Sequence, residues 1–222
     1  MVTVQIASIP SRIEHLELTV NSLIDQCDHI FIALNNYEEV PDYLQGNPKI
    51  EYKLMDNSLG DAAKFYGSSE REGYILTCDD DLRYNPGYVD LMVKGIDAYG
   101  GIVSILGKQY GNRPINSFGR GYTRLFSCLN TVREDCVVDV VGTGVMGYHS
   151  DTIKIDPYLF PRRNMADIWV SKLAHEQGIQ LISLAHRKNI VRYKMHSWRI
   201  WAKDRDDPYA TKVVNSFLLP NN

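Results

Sequence analysis

Short apolar runs alternate with helical patterns along the first part of the chain. Residues 2–9 predict a strand, apolar residues then recur at helical spacing from Ile13 to Cys27, and residues 29–34 predict a second strand. Ser11 and Glu14 have the spacing of a capping box at the start of this helix. Because parallel neighbours need a crossover connection, strand, helix and strand in this order predict a parallel βαβ unit and a Rossmann-like start.

The later pattern extends this arrangement into one domain. Further strands are predicted at residues 50–54, 74–78, 102–106, 136–141 and 180–184, and helices at residues 59–66, 86–99 and 165–177. Residues 107–133 show no period, and such long excursions are usually functional or mobile. We therefore predict a single α/β domain over residues 1–190, with a mostly parallel central sheet flanked by helices. A tail over residues 191–222 is predicted to close over a ligand site.

The strand at residues 74–78 ends in three consecutive carboxylates, Asp79, Asp80 and Asp81. In open α/β sheets ligands bind at the carboxyl ends of the strands, and Asp79 and Asp81 are spaced so that both can face one hard divalent cation. The alternative is an acidic surface turn before Asn85. We favour the metal, because three like charges crowded at a strand end repel one another unless a cation or ligand neutralises them.

A parallel sheet brings other polar residues to the same edge. The loop after the first strand carries Pro10 and Arg12, the second strand ends at Asn35, and the short helix carries Asp61 and Lys64. With the carboxylates, these residues predict a pocket for a nucleotide diphosphate whose phosphates are bridged by Mg²⁺ or Mn²⁺. The chain has no GxGxxG and no GxxxxGK[ST] motif, so neither a dinucleotide fold nor a P-loop NTPase is supported.

Composition narrows the functions, partners and cellular locations that remain. The 222 residues carry a formal net charge of −3, which gives no general basic field and makes nucleic acid a poor partner. No apolar stretch reaches the roughly 18 residues of a membrane span, and the start lacks a signal-peptide layout, so we expect a cytoplasmic protein. Membrane contact through the aromatic, basic tail would at most be peripheral. The four cysteines lack CxxC spacing and are expected to be free thiols.

The motifs resemble those of the GT-A-fold nucleotide-sugar glycosyltransferases, and within them the bacterial family-2-like enzymes. The resemblance spans about residues 2 to 185 at motif level. It is carried by residues 6–12 (IASIPSR), 59–65 (LGDAAKF), 77–82 (TCDDDL, a DxD motif) and 166–171 (ADIWVS). A DxD motif alone is weak evidence for this family. Here it follows a strand and lies between the motifs at residues 59–65 and 166–171, which makes the combination more specific.

The resemblance implies a metal-dependent transferase that moves a sugar from a nucleotide-diphosphate donor, a UDP-sugar, to a saccharide or other hydroxyl acceptor. It implies inversion at the anomeric carbon and a setting in bacterial cell-surface polysaccharide or glycoconjugate synthesis. Pro10 and Arg12 would line the nucleotide site, and Asp61 and Lys64 would contact the base, the ribose or the diphosphate. Asn35 stands where many relatives have an acid that contacts the base, so the identity of the base is open.

The resemblance also assigns the reacting groups. Asp79 and Asp80 would lie near the ribose or the metal, and Asp81 would bind Mn²⁺ or Mg²⁺ directly. Asp167 matches the catalytic acid residue of inverting members, which takes the proton from the acceptor hydroxyl. From residue chemistry alone, an Asp at a helix start is more often a cap or a partner of the helix dipole. His196 is a candidate for completing the metal site, and a solvated tail histidine is the equal alternative.

Two other functions stay open at this point. A nucleotidyltransferase uses similar carboxylates, although the start of the chain lacks the Gly-rich, basic phosphate loop of such enzymes. A non-catalytic nucleotide- or sugar-binding module would bind UDP but would be insensitive to substitution of Asp167.

Overall fold

The computed structural model describes residues 1–111, 114–193 and 206–218. In chain order its strands and longer helices are β1 (Val2–Ser8), α1 (Ile13–Leu23), β2 (His29–Asn35), β3 (Ile50–Met55), β4 (Tyr74–Asp79), β5 (Leu82–Tyr84), α2 (Tyr88–Tyr99), β6 (Ile102–Ser104), β7 (Gly107–Gln109), β8 (Arg124–Phe126), β9 (Cys136–Val137), β10 (Val140–Val141), β11 (Val145–His149), α3 (Ala166–Glu176), β12 (Leu181–Ser183), β13 (Val191–Tyr193) and α4 (Pro208–Leu218).

The central sheet has the strand order β3-β2-β1-β4-β11-β6-β12-β9. Strand β1 pairs in parallel with β2 and β4, β2 with β3, and β6 with β12. Strands β11 and β9 run antiparallel to their neighbours. The predicted α/β class with a mostly parallel sheet flanked by helices is therefore confirmed, and β1, β2 and β4 end at one common edge.

Apolar side chains cover both faces of this sheet. On one face, Leu16 of α1 and Met92 of α2 belong to a buried cluster that includes Leu76 of β4. On the other face, Val170 of α3 belongs to a cluster that includes Ile75 of the same strand. Successive residues of a strand point to opposite faces, so the unbroken apolar run of β4 is the pattern of a strand covered on both sides. That strand carries the three carboxylates at its end.

Three local predictions were wrong. The capping box does not form, because residues 10–12 make a 3-10 turn closed by Arg12 N–H to Ile9 O, and α1 begins at Ile13 without a side-chain cap. The single strand predicted at residues 136–141 is two strands: β9 ends the central sheet, and β10 joins β7 and β8 in a small sheet. The irregular stretch over residues 107–133 thus contributes β7 and β8.

The predicted tail contributes to the domain. Strand β13 pairs antiparallel with β5, the strand that directly follows the three carboxylates in the chain. Helix α4 packs on α3, where Ala210 and Val214 share a buried cluster with Trp169. Within the described part of the chain, no helix is both long and apolar enough to cross a membrane.

Candidate active site

The three carboxylates at the end of β4 point to different partners. Asp80 is buried, and its Oδ1 accepts a hydrogen bond from Arg12 Nη1 at 2.7 Å. The same Nη1 atom lies 3.5 Å from Asp81 Oδ2. The Thr19 hydroxyl of α1 lies 3.0 Å from Asp80 O and 2.7 Å from Leu82 O, so it fixes the backbone of the turn. Arg12 and α1 therefore hold the Asp80–Asp81 side.

Asp79, the first of the three carboxylates, pairs with Lys64. The Lys64 ammonium is almost fully buried and donates to Asp79 Oδ1, whereas 44% of the Asp79 side chain is exposed. The Asp79 backbone N–H donates to the Tyr84 hydroxyl at 2.8 Å, and this hydroxyl donates to Gly144 O at 2.6 Å. One face of the Asp79 carboxylate is thus held by protein groups and the other faces solvent.

These pairs correct the electrostatic argument made from the sequence. Three carboxylates crowded at a strand end were expected to need a bound cation or ligand for neutralisation. Arg12 and Lys64 supply two positive charges at ion-pair distance, so the protein itself offsets two of the three negative charges. Crowding of the carboxylates is therefore no longer an argument for a metal.

Burial sets the protonation of two neighbouring carboxyls. Desolvation raises the pKa of Asp80 from 3.8 to about 6, and the Arg12 charge opposes this rise. Desolvation also raises the pKa of Asp61 from 3.8 to about 6, with Lys64 opposing the rise and Asp167 adding to it. For Lys64, desolvation lowers the pKa, but the charges of Asp79 and Asp61 outweigh it and raise the pKa above its ordinary value. Lys64 is therefore a fixed positive charge.

Asp61 connects this cluster to α3. Asp61 lies in a 3-10 helix over Gly60–Phe65, and its Oδ2 accepts from the Ala166 N–H at 3.2 Å. Its Oδ1 is buried and makes no hydrogen bond to the residues that the structure describes. Asn164 has a φ of 60°, in the left-handed region, and its Oδ1 accepts from the Asp61 N–H at 3.3 Å. Asp61 thereby positions the first turn of α3.

Asp167 is directed at the turn before β11. Its Oδ1 accepts from the backbone N–H and the hydroxyl of Thr143, at 2.8 and 2.7 Å, and α3 has no side-chain cap. The alternative of a helix-capping Asp167 is therefore not what the structure shows. Thr143 O accepts from the Thr77 hydroxyl of β4, and a Cβ on Gly144 would lie 2.0 Å from Asp79 Oδ2. This turn therefore joins Asp167 to Asp79.

The other predicted residues lie at the same edge in different environments. Pro10 is exposed in the turn after β1. Asn35 is 2% exposed, and its Nδ2 donates to Gly60 O, so it holds the 3-10 helix that carries Asp61 and Lys64. Contact of Asn35 with a base stays a prediction. His196 lies outside the described residues.

The carboxylates fit a divalent cation only in part. Among residues 1–111, 114–193 and 206–218, no group of three His, Cys, Asp or Glu side chains comes together in a way that could hold a metal. Asp79 keeps an exposed carboxylate, and 12% of the Asp81 side chain is exposed. Asp79 and Asp81 could each supply oxygen ligands, and further ligands would have to come from a bound diphosphate or from elsewhere in the chain.

Sequence reasoning missed the groups that hold the site in shape. Tyr84 accepts from the Asp79 backbone N–H five residues away, and Asn164 accepts from the Asp61 N–H across 103 positions of the chain. Tyr84 stands in an apolar pattern that also fits a core tyrosine. Asn164 offered a weak signal, since Asn tolerates the left-handed region better than most residues.

The strand order and the polar edge at β1, β2 and β4 are those of a Rossmann-like, GT-A-type α/β fold. No family model matches the chain, and no curated protein sequence matches it. The fold is nevertheless common among solved structures, of which 182 chains match.

One of these structures is S. aureus TarS, residues 1–349, in complex with UDP-GlcNAc. The two structures superpose with a TM-score of 0.60 at 13% sequence identity. The superposition covers 90% of this chain but 60% of the TarS chain, so the protein described here spans less than two thirds of that chain. At this identity the match establishes the shared fold.

Proposed function

We propose that the chain is a glycosyltransferase that transfers a sugar from a UDP-sugar to a hydroxyl group of a saccharide or other acceptor. The observation that carries the proposal is the connected edge site: Lys64–Asp79 and Thr143–Asp167 meet at Gly144, in a fold shared with a structure that contains UDP-GlcNAc. Ligands of open α/β sheets bind at this edge.

The residues suggest distinct tasks in the transfer. Arg12 and Lys64 provide positive charge at the edge where a diphosphate would lie, and both are already oriented by carboxylates. Fixed charges of this kind stabilise a departing diphosphate without reorganising. Pro10 and Asn35 would border the nucleotide. The base that we propose for this nucleotide is uracil.

Asp167 is proposed as the base that accepts the proton of the attacking hydroxyl. Thr143 occupies Oδ1 with two hydrogen bonds, and Oδ2 makes no hydrogen bond to the described residues. An oriented carboxylate with one unused oxygen suits proton transfer from a hydroxyl. Direct attack on the anomeric carbon would invert its configuration.

Mn²⁺ or Mg²⁺ belongs to the proposal as a cofactor, held by Asp81 with Asp79 beside it. A bound cation would neutralise charge on the leaving diphosphate. His196 is retained as a further candidate ligand. We place the reaction in bacterial cell-surface polysaccharide or glycoconjugate synthesis, which rests on the sequence resemblance alone.

Donor turnover tests the proposed activity. The purified chain is incubated with UDP-GlcNAc, UDP-glucose or UDP-galactose, with Mn²⁺, Mg²⁺ or EDTA, and released UDP is measured. We expect slow UDP release from one donor, by hydrolysis in the absence of an acceptor, and loss of release in EDTA. Binding of UDP without release from any donor would instead favour a non-catalytic binding module. The absence of both UDP binding and UDP release would contradict the proposal.

A further inference from the structure

A cavity of about 340 Å³ lies next to the carboxylate turn, and neither Lys64 nor Asp167 lines it. Helix α1 and the paired strands β5 and β13 form its walls. Its lining includes His15, Leu18, Asp81, Leu82, Arg83 and Arg192. The volume is at the lower end of the range for small-molecule sites.

Two arginines lie side by side on one wall of this cavity. Arg83 of β5 is the direct register partner of Arg192 of β13, and both side chains are exposed. Their neighbours Leu82, Tyr84 and Val191 are buried in the core, so the arginines share the outer face. Like charges directly opposite each other in an antiparallel pair are destabilising. Within the described part of the chain, neither arginine makes an ion pair or hydrogen bond that would offset this repulsion.

A third polar group in the lining also lacks a partner. The Nδ1 atom of His15 is buried and makes no hydrogen bond to the residues the structure describes. Leu18 and Leu82 supply apolar surface next to these polar groups. Two guanidinium groups held side by side suit the oxygens of a phosphate, which they can bind with paired hydrogen bonds. An anion would also remove the repulsion between Arg83 and Arg192.

The cavity meets the proposed reaction site at one residue. Asp81 is in its lining, whereas Asn35, Asp61 and Lys64 are not. The Asp81 carboxylate is 3.5 Å from Arg12, and its negative charge disfavours a phosphate at that end of the cavity. A ligand is therefore oriented with its phosphate toward the arginines and a neutral, hydroxyl-bearing part toward Asp81.

We propose that this cavity binds a phosphate-bearing saccharide through Arg83 and Arg192. Asp167, the proposed base, does not line the cavity, so the bound saccharide is not the acceptor of the transfer. The cavity is therefore a second ligand site beside the carboxylate turn, for an anionic sugar.

Calorimetric titration with matched probes tests the site. Glucose 6-phosphate, glucose and inorganic phosphate are titrated into the wild type, the Arg83→Gln/Arg192→Gln double variant and an Arg133→Gln control, which removes an exposed arginine elsewhere. We expect glucose 6-phosphate to bind the wild type and the control more tightly than inorganic phosphate does. Glucose should not bind, and the double variant should bind glucose 6-phosphate at least tenfold more weakly.

Two further measurements separate the possible failures. The double variant should unfold at the same or a higher temperature than the wild type, since it loses a like-charge pair, and it should still bind UDP. UDP should not displace glucose 6-phosphate. Displacement by UDP would overturn the proposal by making the cavity part of the donor site. Equal affinity of the wild type for glucose 6-phosphate and inorganic phosphate, or no binding of either compound, would also overturn the proposal. Failure of UDP to bind the wild type would contradict the glycosyltransferase function separately.

Discussion

At the scale of single residues, the site is built from carboxyls whose neighbours give them different properties. Asp79 is exposed on one side and paired with Lys64, whereas Asp80 is buried against Arg12. Asp61 is buried between the 3-10 helix and the first turn of α3. The sequence showed which acids reach this edge, because strand ends follow from apolar runs. It did not show their partners, because Arg12 and Asp80 are separated by 67 intervening residues and meet only in the folded chain.

Substitution of Asp61 by Asn should change stability in a pH-dependent way. Folding raises the pKa of Asp61 from 3.8 to about 6, so the folded state binds more protons than the unfolded state between these values. The favourable contribution is present below about pH 4 and is lost as the pH rises through 6. Asn stays neutral, so the unfolding free energy of Asp61→Asn relative to wild type should increase by about 2 to 3 kcal/mol from pH 4 to 7.5.

Urea denaturation at several pH values measures this difference. Asp25→Asn, an exposed acid beyond the end of α1, is the matched control and should show little change with pH. A difference between Asp61→Asn and wild type that stays constant from pH 4 to 7.5 would show that Asp61 is not held with a raised pKa.

Substitution of Asp167 by Asn tests the proposed base. An amide oxygen can still accept from the Thr143 N–H, so the turn before β11 should be kept. Loss of the proton acceptor should lower the rate constant for sugar transfer by about 10² to 10⁴-fold, with UDP affinity unchanged. Glu176→Gln, which changes the acid at the other end of α3, should keep full activity. Full activity of Asp167→Asn would assign Asp167 to positioning Thr143 alone.

At the scale of elements, the junction between β4 and β11 connects the two halves of the site. The turn before β11 carries Thr143 and Gly144, which contact Asp167 and Asp79. The parallel strands β1, β2 and β4 were predictable because each is an apolar run with a crossover to the next. Strand β11 was missed, because it follows a glycine-rich turn and runs antiparallel between strands that are distant in sequence. Strands β5 and β13 are three residues each, too short to show a period.

A methyl group at Gly144 should disturb this junction. The added Cβ would lie 2.0 Å from Asp79 Oδ2, so either the carboxylate or the turn must move. We expect Gly144→Ala to lose about 1 to 3 kcal/mol of stability, the usual cost of overpacking, and to weaken UDP binding. Calorimetric titration and thermal unfolding measure the two effects.

Gly147→Ala, inside β11, is the matched comparison for the turn residue Gly144. Its Cβ would meet the side chain of Leu76 at 2.4 Å, in the core rather than at the edge. This variant should lose stability but keep its UDP affinity. Equal UDP affinity in Gly144→Ala and wild type would show that the position of Asp79 does not matter for the nucleotide.

At the scale of the whole molecule, the fold brings the ion pairs and the cavity to one acidic turn at the end of β4. Lys64 pairs with Asp79 and Arg12 with Asp80 at this turn, and Asp81 lines the cavity together with Arg83 and Arg192. The α/β class and the common edge could be predicted from the sequence. Packing of β13 and α4 on the domain could not, because the residues after 190 show no clear period before they meet β5 and α3.

The central claim is that a nucleoside diphosphate binds at the end of β4. Calorimetric titration with UDP, GDP and CDP, each with and without Mn²⁺, on the wild type and on Asp81→Ala, tests it most directly. Binding of UDP that strengthens with Mn²⁺ in the wild type and is lost in Asp81→Ala is the predicted result. Absence of binding, or binding that is indifferent to both Mn²⁺ and Asp81, would contradict the proposed function.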